Sequence, residues 1–224
     1  MTRAAGGGAL APGAARQIVR DYIDRNGGAS GMARGSGGGG GRVGSSGAAR
    51  AVAGRLGGFI TDVGTYGLDE ALRRAGLSEL VSRPVREILA GLLDHLGGSS
   101  STLDDVDARA ALSRLQDELL GDAEDAAEVE RILAGQAAQL ELVLEMFFGF
   151  YLFEQFCRVF FERLVQRVGE TRAHSFLSEI EGFLRSALVN RTVGRDLAGI
   201  DWTGSEGRTL VTDILESTLR VFGG

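Results

Sequence analysis

Seven of the eleven phenylalanines in this chain fall within residues 147–161, in a stretch whose apolar spacing is helical on most sides. A helix that is apolar nearly all round needs neighbours nearly all round, so the stretch predicts a central helix and not a surface one. The helical spacing runs over roughly residues 129–168, with Glu141, Glu145, Gln155, Glu162 and Gln166 near one polar stripe. Left in water, the seven rings would form an apolar patch well beyond the few hundred Å² ordinary on a soluble monomer. They are expected to be buried, in the core or in an interface.

The rest of the body must supply those neighbours. From Ser46 onward the apolar residues keep helical spacing nearly everywhere, and no sustained period-2 alternation appears. Val52, Leu56 and Phe59 or Ile60 share one face of a helix that Ser45 or Ser46 can cap, interrupted near residues 64–67 before Leu68 and Leu72 continue it. Pro84 suits the first turn of a helix striped by Ile88, Leu89, Leu92 and Leu96. Thr102 followed by Asp104 and Asp105 reads as an N-cap with acids at the positive end of the helix dipole. Thr171 starts a helix with Phe176, Ile180 and Leu184 inward, and Thr203-Gly204-Ser205-Glu206 has the form of a capping box before the last one. The predicted fold class is all-α, an irregular multi-helix bundle.

The first 46 residues are different. They hold 14 of the 35 glycines, and glycine-rich chain loses much backbone entropy on ordering, so this region predicts a flexible arm. One island interrupts it, a short amphipathic helix carrying Ile18, Val19, Tyr22 and Ile23 between Pro12 and Asn26-Gly27. A second composition shift, over residues 121–125, divides the body. The expected organisation is an arm at 1–46, a helical subdomain at 47–121 and a second at 122–224 containing the Phe-rich helix.

Charge and composition exclude several function classes. Every basic residue is arginine, so a Walker lysine, a Schiff-base lysine and a Ser-Lys dyad are all ruled out. The arm carries six Arg against two Asp while the whole chain has net charge −6, so a basic arm precedes an acidic body. Such a body opposes long-range attraction to nucleic acid. The longest uncharged apolar stretch, residues 146–153, is far short of the roughly 20 residues that span a bilayer. No apolar run follows Met1-Thr2-Arg3, so no secretion signal is expected, and a single cysteine fits a reducing cytoplasm.

Each candidate chemical site has a structural explanation. Gly39, Gly41 and Gly44 satisfy G-x-G-x-x-G, but the glycine run forces the match and no strand precedes it. Two histidines, His95 and His174, with the lone Cys157 in an apolar run, are poor material for zinc, and no Glu-x-x-His marks a carboxylate metal site. Glu154, Arg158 and Glu162 read as a solvated or interhelical ion-pair row. The sequence therefore predicts no catalytic, cofactor-binding or metal-binding residues. Arg34, Arg42 and the Gly44-Ser45-Ser46 turn are the expected partner contacts, because free helix-start amides beside arginines suit an anionic group.

The order Asp21-Tyr22-Ile23, Gly27-Gly28-Ala29 and Gly44-Ser45-Ser46, then Gly58-Phe59-Ile60-Thr61-Asp62, resembles the QatB proteins of Qat anti-phage defence systems. The similarity continues through Gly67-Leu68-Asp69-Glu70-Ala71-Leu72, Arg83-Pro84-Val85-Arg86-Glu87-Ile88, Leu103-Asp104-Asp105 and residues 150–169, as a scattered pattern over some two thirds of the chain. The resemblance implies a bacterial four-component operon with an ATPase, a QueC-like enzyme related to deazapurine biosynthesis and a TatD-like nuclease. It also implies that this component is not an enzyme and binds the QueC-like partner, the other Qat components being further candidates. One departure is that the chain starts Met1-Thr2-Arg3 and has only two prolines, where the family pattern has a Gly-Thr-Ser start and a Pro-rich arm. The alternative reading is a homo-oligomeric helical scaffold that uses the Phe-rich helix.

Overall fold

Helix boundaries here follow local hydrogen-bonding chemistry. The computed structural model describes residues 13–35, 46–98, 101–189, 197 and 199–223. Among them lie ten α-helices and no strand: α1 (Ala14–Arg25), α2 (Gly28–Arg34), α3 (Gly47–Tyr66), α4 (Leu68–Arg74), α5 (Val85–Gly97), α6 (Leu103–Leu120), α7 (Ala126–Ala137), α8 (Leu140–Val168), α9 (Glu170–Val189) and α10 (Ser205–Gly223). A 3-10 turn at Ser78–Leu80 joins α4 to α5. The all-α expectation is met.

Thr102 caps α6 as its sequence predicts. Its hydroxyl accepts from Asp105 N at 3.1 Å while the Asp105 carboxylate accepts from Thr102 N at 2.7 Å, a reciprocal capping box. Those hydrogen bonds hold the Asp105 carboxyl below its ordinary value, the Thr102 hydroxyl contributing most. Asp125 caps α7 by accepting from Glu128 N at 2.8 Å. Ahead of α10 an aspartate closes the turn. Asp201 Oδ1 accepts from Thr203 N at 3.0 Å and Gly204 N at 3.1 Å, and the helix begins at Ser205. Between α3 and α4 the chain turns at Gly67 with φ +82°, a conformation that costs residues with a Cβ, and Leu68 N donates to Glu130 of α7 at 2.8 Å.

α8 occupies the centre, packed against α3, α6, α7, α9 and α10. Phe147, Phe148, Phe150, Phe153 and Phe156 are buried, and Phe160 and Phe161 pack partly buried against the same core. At about 1.5–3 kcal/mol for each fully buried large apolar side chain, this one helix contributes a major share of the driving force. Small residues let α3 come close to its neighbours. A Cβ on Gly57 would stand 2.7 Å from the Trp202 ring, and one on Gly64 would stand 2.7 Å from the Ala137 Cβ. The apolar core continues from α3 and α6 across the Gly121 turn into α7, α8 and α10.

Three features depart from the sequence expectations. The predicted stretch 129–168 is broken at Ala138-Gln139 into α7 and α8. The polar stripe on α8 faces inward over its first half, where Glu141, Glu145 and Gln155 are buried, whereas Glu162 and Gln166 are exposed. The third departure lies in the arm, where a second helix, α2, follows α1. Both dock: Val19, Tyr22, Ile23, Met32 and Ala33 are buried, with α1 against α9 and α10, and α2 against α10. Residues 13–35 are thus part of the folded body.

Candidate functional site

The root of the arm is where the predicted contact residues meet the body. α2 ends at Arg34, with Gly35 in the left-handed conformation (φ +70°) and its N–H turned back to Gly31 O and Met32 O. The last carbonyls of a helix have no partner of their own. Here Ser46 supplies one. Its buried hydroxyl lies 2.8 Å from Met32 O and 3.0 Å from Ala33 O, so one proton is shared between two carbonyls of α2.

That geometry corrects the role read for Ser46. It stands at the N-cap position of α3, but its side chain makes no capping bond to that helix. The α3 start is served from another helix, since Asp104 Oδ2 of α6 accepts from Ala48 N at 2.9 Å. Asp104 Oδ1 also accepts from the Tyr151 hydroxyl of α8, and Tyr151 in turn accepts from Gln155 Nε2 at 2.7 Å. Burial pushes the Tyr151 hydroxyl well above its ordinary value, with Asp104 adding to the effect, so it stays a donor. One of the amides expected to meet an external anion is therefore already filled by an internal carboxylate. The cavity beside this network, bordered by Met32, Ser46, Gln155 and Leu219, is about 10 Å³ and too small for a ligand.

Arg34 is oriented by an ion pair. Its guanidinium lies 3.5 Å from Glu216 of α10, a carboxylate that also pairs with Arg220, and 63% of the Arg34 side chain remains exposed. A group so exposed contributes little to stability and is free to engage a second anion. Arg42, Gly44 and Ser45 lie outside the described residues, as does the G-x-G-x-x-G match at residues 39–44. The structure thus brings Ser46 onto the end of the helix that carries Arg34, in one hydrogen-bonded junction.

The candidate chemical residues have structural surroundings of their own. Cys157 is half-buried, and its thiol is pushed up to about 12 by burial, then by Glu154, with Arg114 opposing. His174 packs on Phe161 with ring centroids 5.3 Å apart. Among the described residues no three His, Cys, Asp or Glu side chains are grouped as metal ligands. The ion-pair row on α8 is interhelical: Arg158 grips Asp107 of α6 at 2.8–3.1 Å, and Glu154 pairs with Arg114. Arg114 also reaches Glu181 of α9 at 3.2 Å, so these charges tie α6, α8 and α9 together. Among the described residues, no helix is long and apolar enough to cross a membrane.

The model of the Qat anti-phage system associated protein QatB matches residues 27–222, most of the chain. The chain belongs to the QatB family. The match takes in α2 through α10, including the buried Ser46 junction, while α1 precedes it. No curated protein and no solved structure matches the chain.

Proposed function

We propose that this QatB-family chain is a non-catalytic, cytoplasmic component of its Qat system that binds the QueC-like partner and presents its glycine-rich N-terminal segments to it. The observation that carries this reading is the docked arm root. α1 and α2 are held against α9 and α10, so residues 1–12 and 36–45 attach to the body at fixed points. A glycine-rich segment with fixed attachment enters a partner's cleft and loses its conformational entropy only on binding, while the rigid body supplies the docking area. Arg34, Arg42, Gly44, Ser45 and Ser46 form the proposed contact region, with Ser46 as its internal anchor.

The test is co-expression of the tagged chain with the other Qat components, followed by co-purification and a phage plaque assay. The full chain is expected to retain the QueC-like component. A chain lacking residues 1–12 is expected to melt like the parent yet lose protection, and Arg34→Ala with Arg42→Ala to weaken co-purification. Full protection from both variants, or a self-associated chain that retains no Qat component, would overturn the reading.

A further inference from the structure

A concave cleft of about 350 Å³ opens between α3, α4, α5 and the start of α10, on residues the QatB-family reading leaves unused. Four arginines from three helices line it, Arg50, Arg55, Arg74 and Arg208, with His95 at its α5 side. Asp62 is the one carboxylate among its described lining residues, and it is matched to Arg74 at 3.2 Å. Among the described residues, no carboxylate lies within ion-pair distance of Arg50, Arg55 or Arg208. Asp105 acts on Arg55 and Asp201 on Arg208 from beyond that distance, so the cleft carries an excess of positive charge that is only partly offset, in a chain of net charge −6.

Two of these guanidiniums are held in place by neutral groups. Arg55 Nε donates to Leu96 O at 2.7 Å, and Arg208 Nη1 donates to Thr203 O at 3.0 Å. A backbone carbonyl fixes a guanidinium without cancelling its charge, and each arginine keeps further N–H donors for a ligand. Burial lowers the Arg55 guanidinium from its ordinary value, with Asp105 opposing, which marks a cation partly removed from water without full compensation. Phe59 and Trp202 add an apolar wall to the same cleft.

We propose that this cleft binds a small phosphate-bearing molecule, its phosphate held by Arg50, Arg55 and Arg208 and its remainder against Phe59 and Trp202. Three guanidiniums without a direct ion-pair partner exceed what one carboxylate needs, whereas a phosphate carries more charge and accepts several forked donors at once. The volume also falls in the range of roughly 300–1,000 Å³ usual for small-molecule sites. Free polyphosphate and a nucleotide share this chemistry.

Trp202 is the only tryptophan, so its fluorescence reports on the cleft directly. The full chain is titrated with inorganic pyrophosphate, with ATP and with adenosine. A saturable change with pyrophosphate or ATP, none with adenosine, and an affinity that falls as NaCl rises are expected. Equal affinity for the two phosphate probes assigns the site to free polyphosphate, and at least about tenfold preference for ATP assigns it to a nucleotide. Arg50→Gln with Arg208→Gln, both away from the apolar core, is expected to weaken binding at least about tenfold without shifting the melting temperature. No saturable change with either probe at about 5 mM, an affinity unaffected by both the double substitution and salt, or tighter binding of a polyglutamate peptide would overturn the proposal.

Discussion

The Tyr22 hydroxyl is buried at the junction of α1 with the core, edge-on to Phe156 and Phe160 at 5.8 Å, and has no hydrogen-bond partner among the described residues. Burial raises it to about 12, with Arg158 partly opposing. A tyrosine whose folded value lies above its unfolded value of about 10 keeps its proton after the unfolded chain has released its own. It therefore leaves stability unchanged below about pH 10 and takes it away as pH rises toward 12. Tyr22→Phe removes an unpaired buried hydroxyl, so at pH 7 the variant should match or exceed the parent by up to about 1–3 kcal/mol in urea unfolding. Its advantage should widen between pH 10 and 11. A less stable variant at both values would show that the hydroxyl is satisfied. Cys157 gives a second prediction on the same scale. A thiol at about 12 is almost wholly protonated at pH 8, so native protein should react with a thiol reagent far more slowly than protein in urea. Equal rates would contradict its placement.

Among the elements, those with long apolar periods were legible and those set by distant partners were not. α5 and α9 carry the stripes their sequences show, and the Phe-rich helix is central for the reason its apolar spacing supplies. α2 has seven residues, Gly-Ala-Ser-Gly-Met-Ala-Arg, too few and too small to display a period, and it forms because Met32 and Ala33 are covered by the body. At the candidate site, Arg34 and Ser46 could be singled out, but the Ser46 role could not, because its acceptors lie 13 and 14 positions upstream. The arginine cleft was illegible for the same reason, since it joins positions from 50 to 208. Because α1 and α2 are docked, a chain starting at Arg42 should lose stability and bind an apolar dye, as removing Tyr22, Ile23 and Met32 uncovers α9 and α10. An unchanged melt with no dye binding would show that the pair is dispensable. Phe156 touches Tyr22 of α1 and Phe176 of α9, so Phe156→Ala should cost about 3–5 kcal/mol in urea unfolding. A loss below about 1 kcal/mol would mean the ring is not in a packed core.

On the scale of the whole molecule, the sequence break at Gly121 and the path of the core give different expectations for cooperativity. Subdomains at 47–121 and 122–224 that fold independently would melt separately, each with its own midpoint. The side chains that would separate them are shared. α3 packs against α7, α8 and α10, and α6 against α8, so Leu56, Ile60 and Leu112 belong to one core that extends to both sides of the turn. Charges cross it as well, through Asp107 to Arg158 and Arg114 to Glu154 and Glu181. Unfolding one half would expose the apolar face of the other, so intermediates are costly and a single transition follows. The sole tryptophan, Trp202, lies in the second half of the chain, yet its ring lies across Gly57 of α3, and its indole donates to Thr61 at 3.1 Å. Trp202 fluorescence and far-UV circular dichroism should therefore give the same urea midpoint. Two midpoints, with the fluorescence change confined to one, would establish separate folding units.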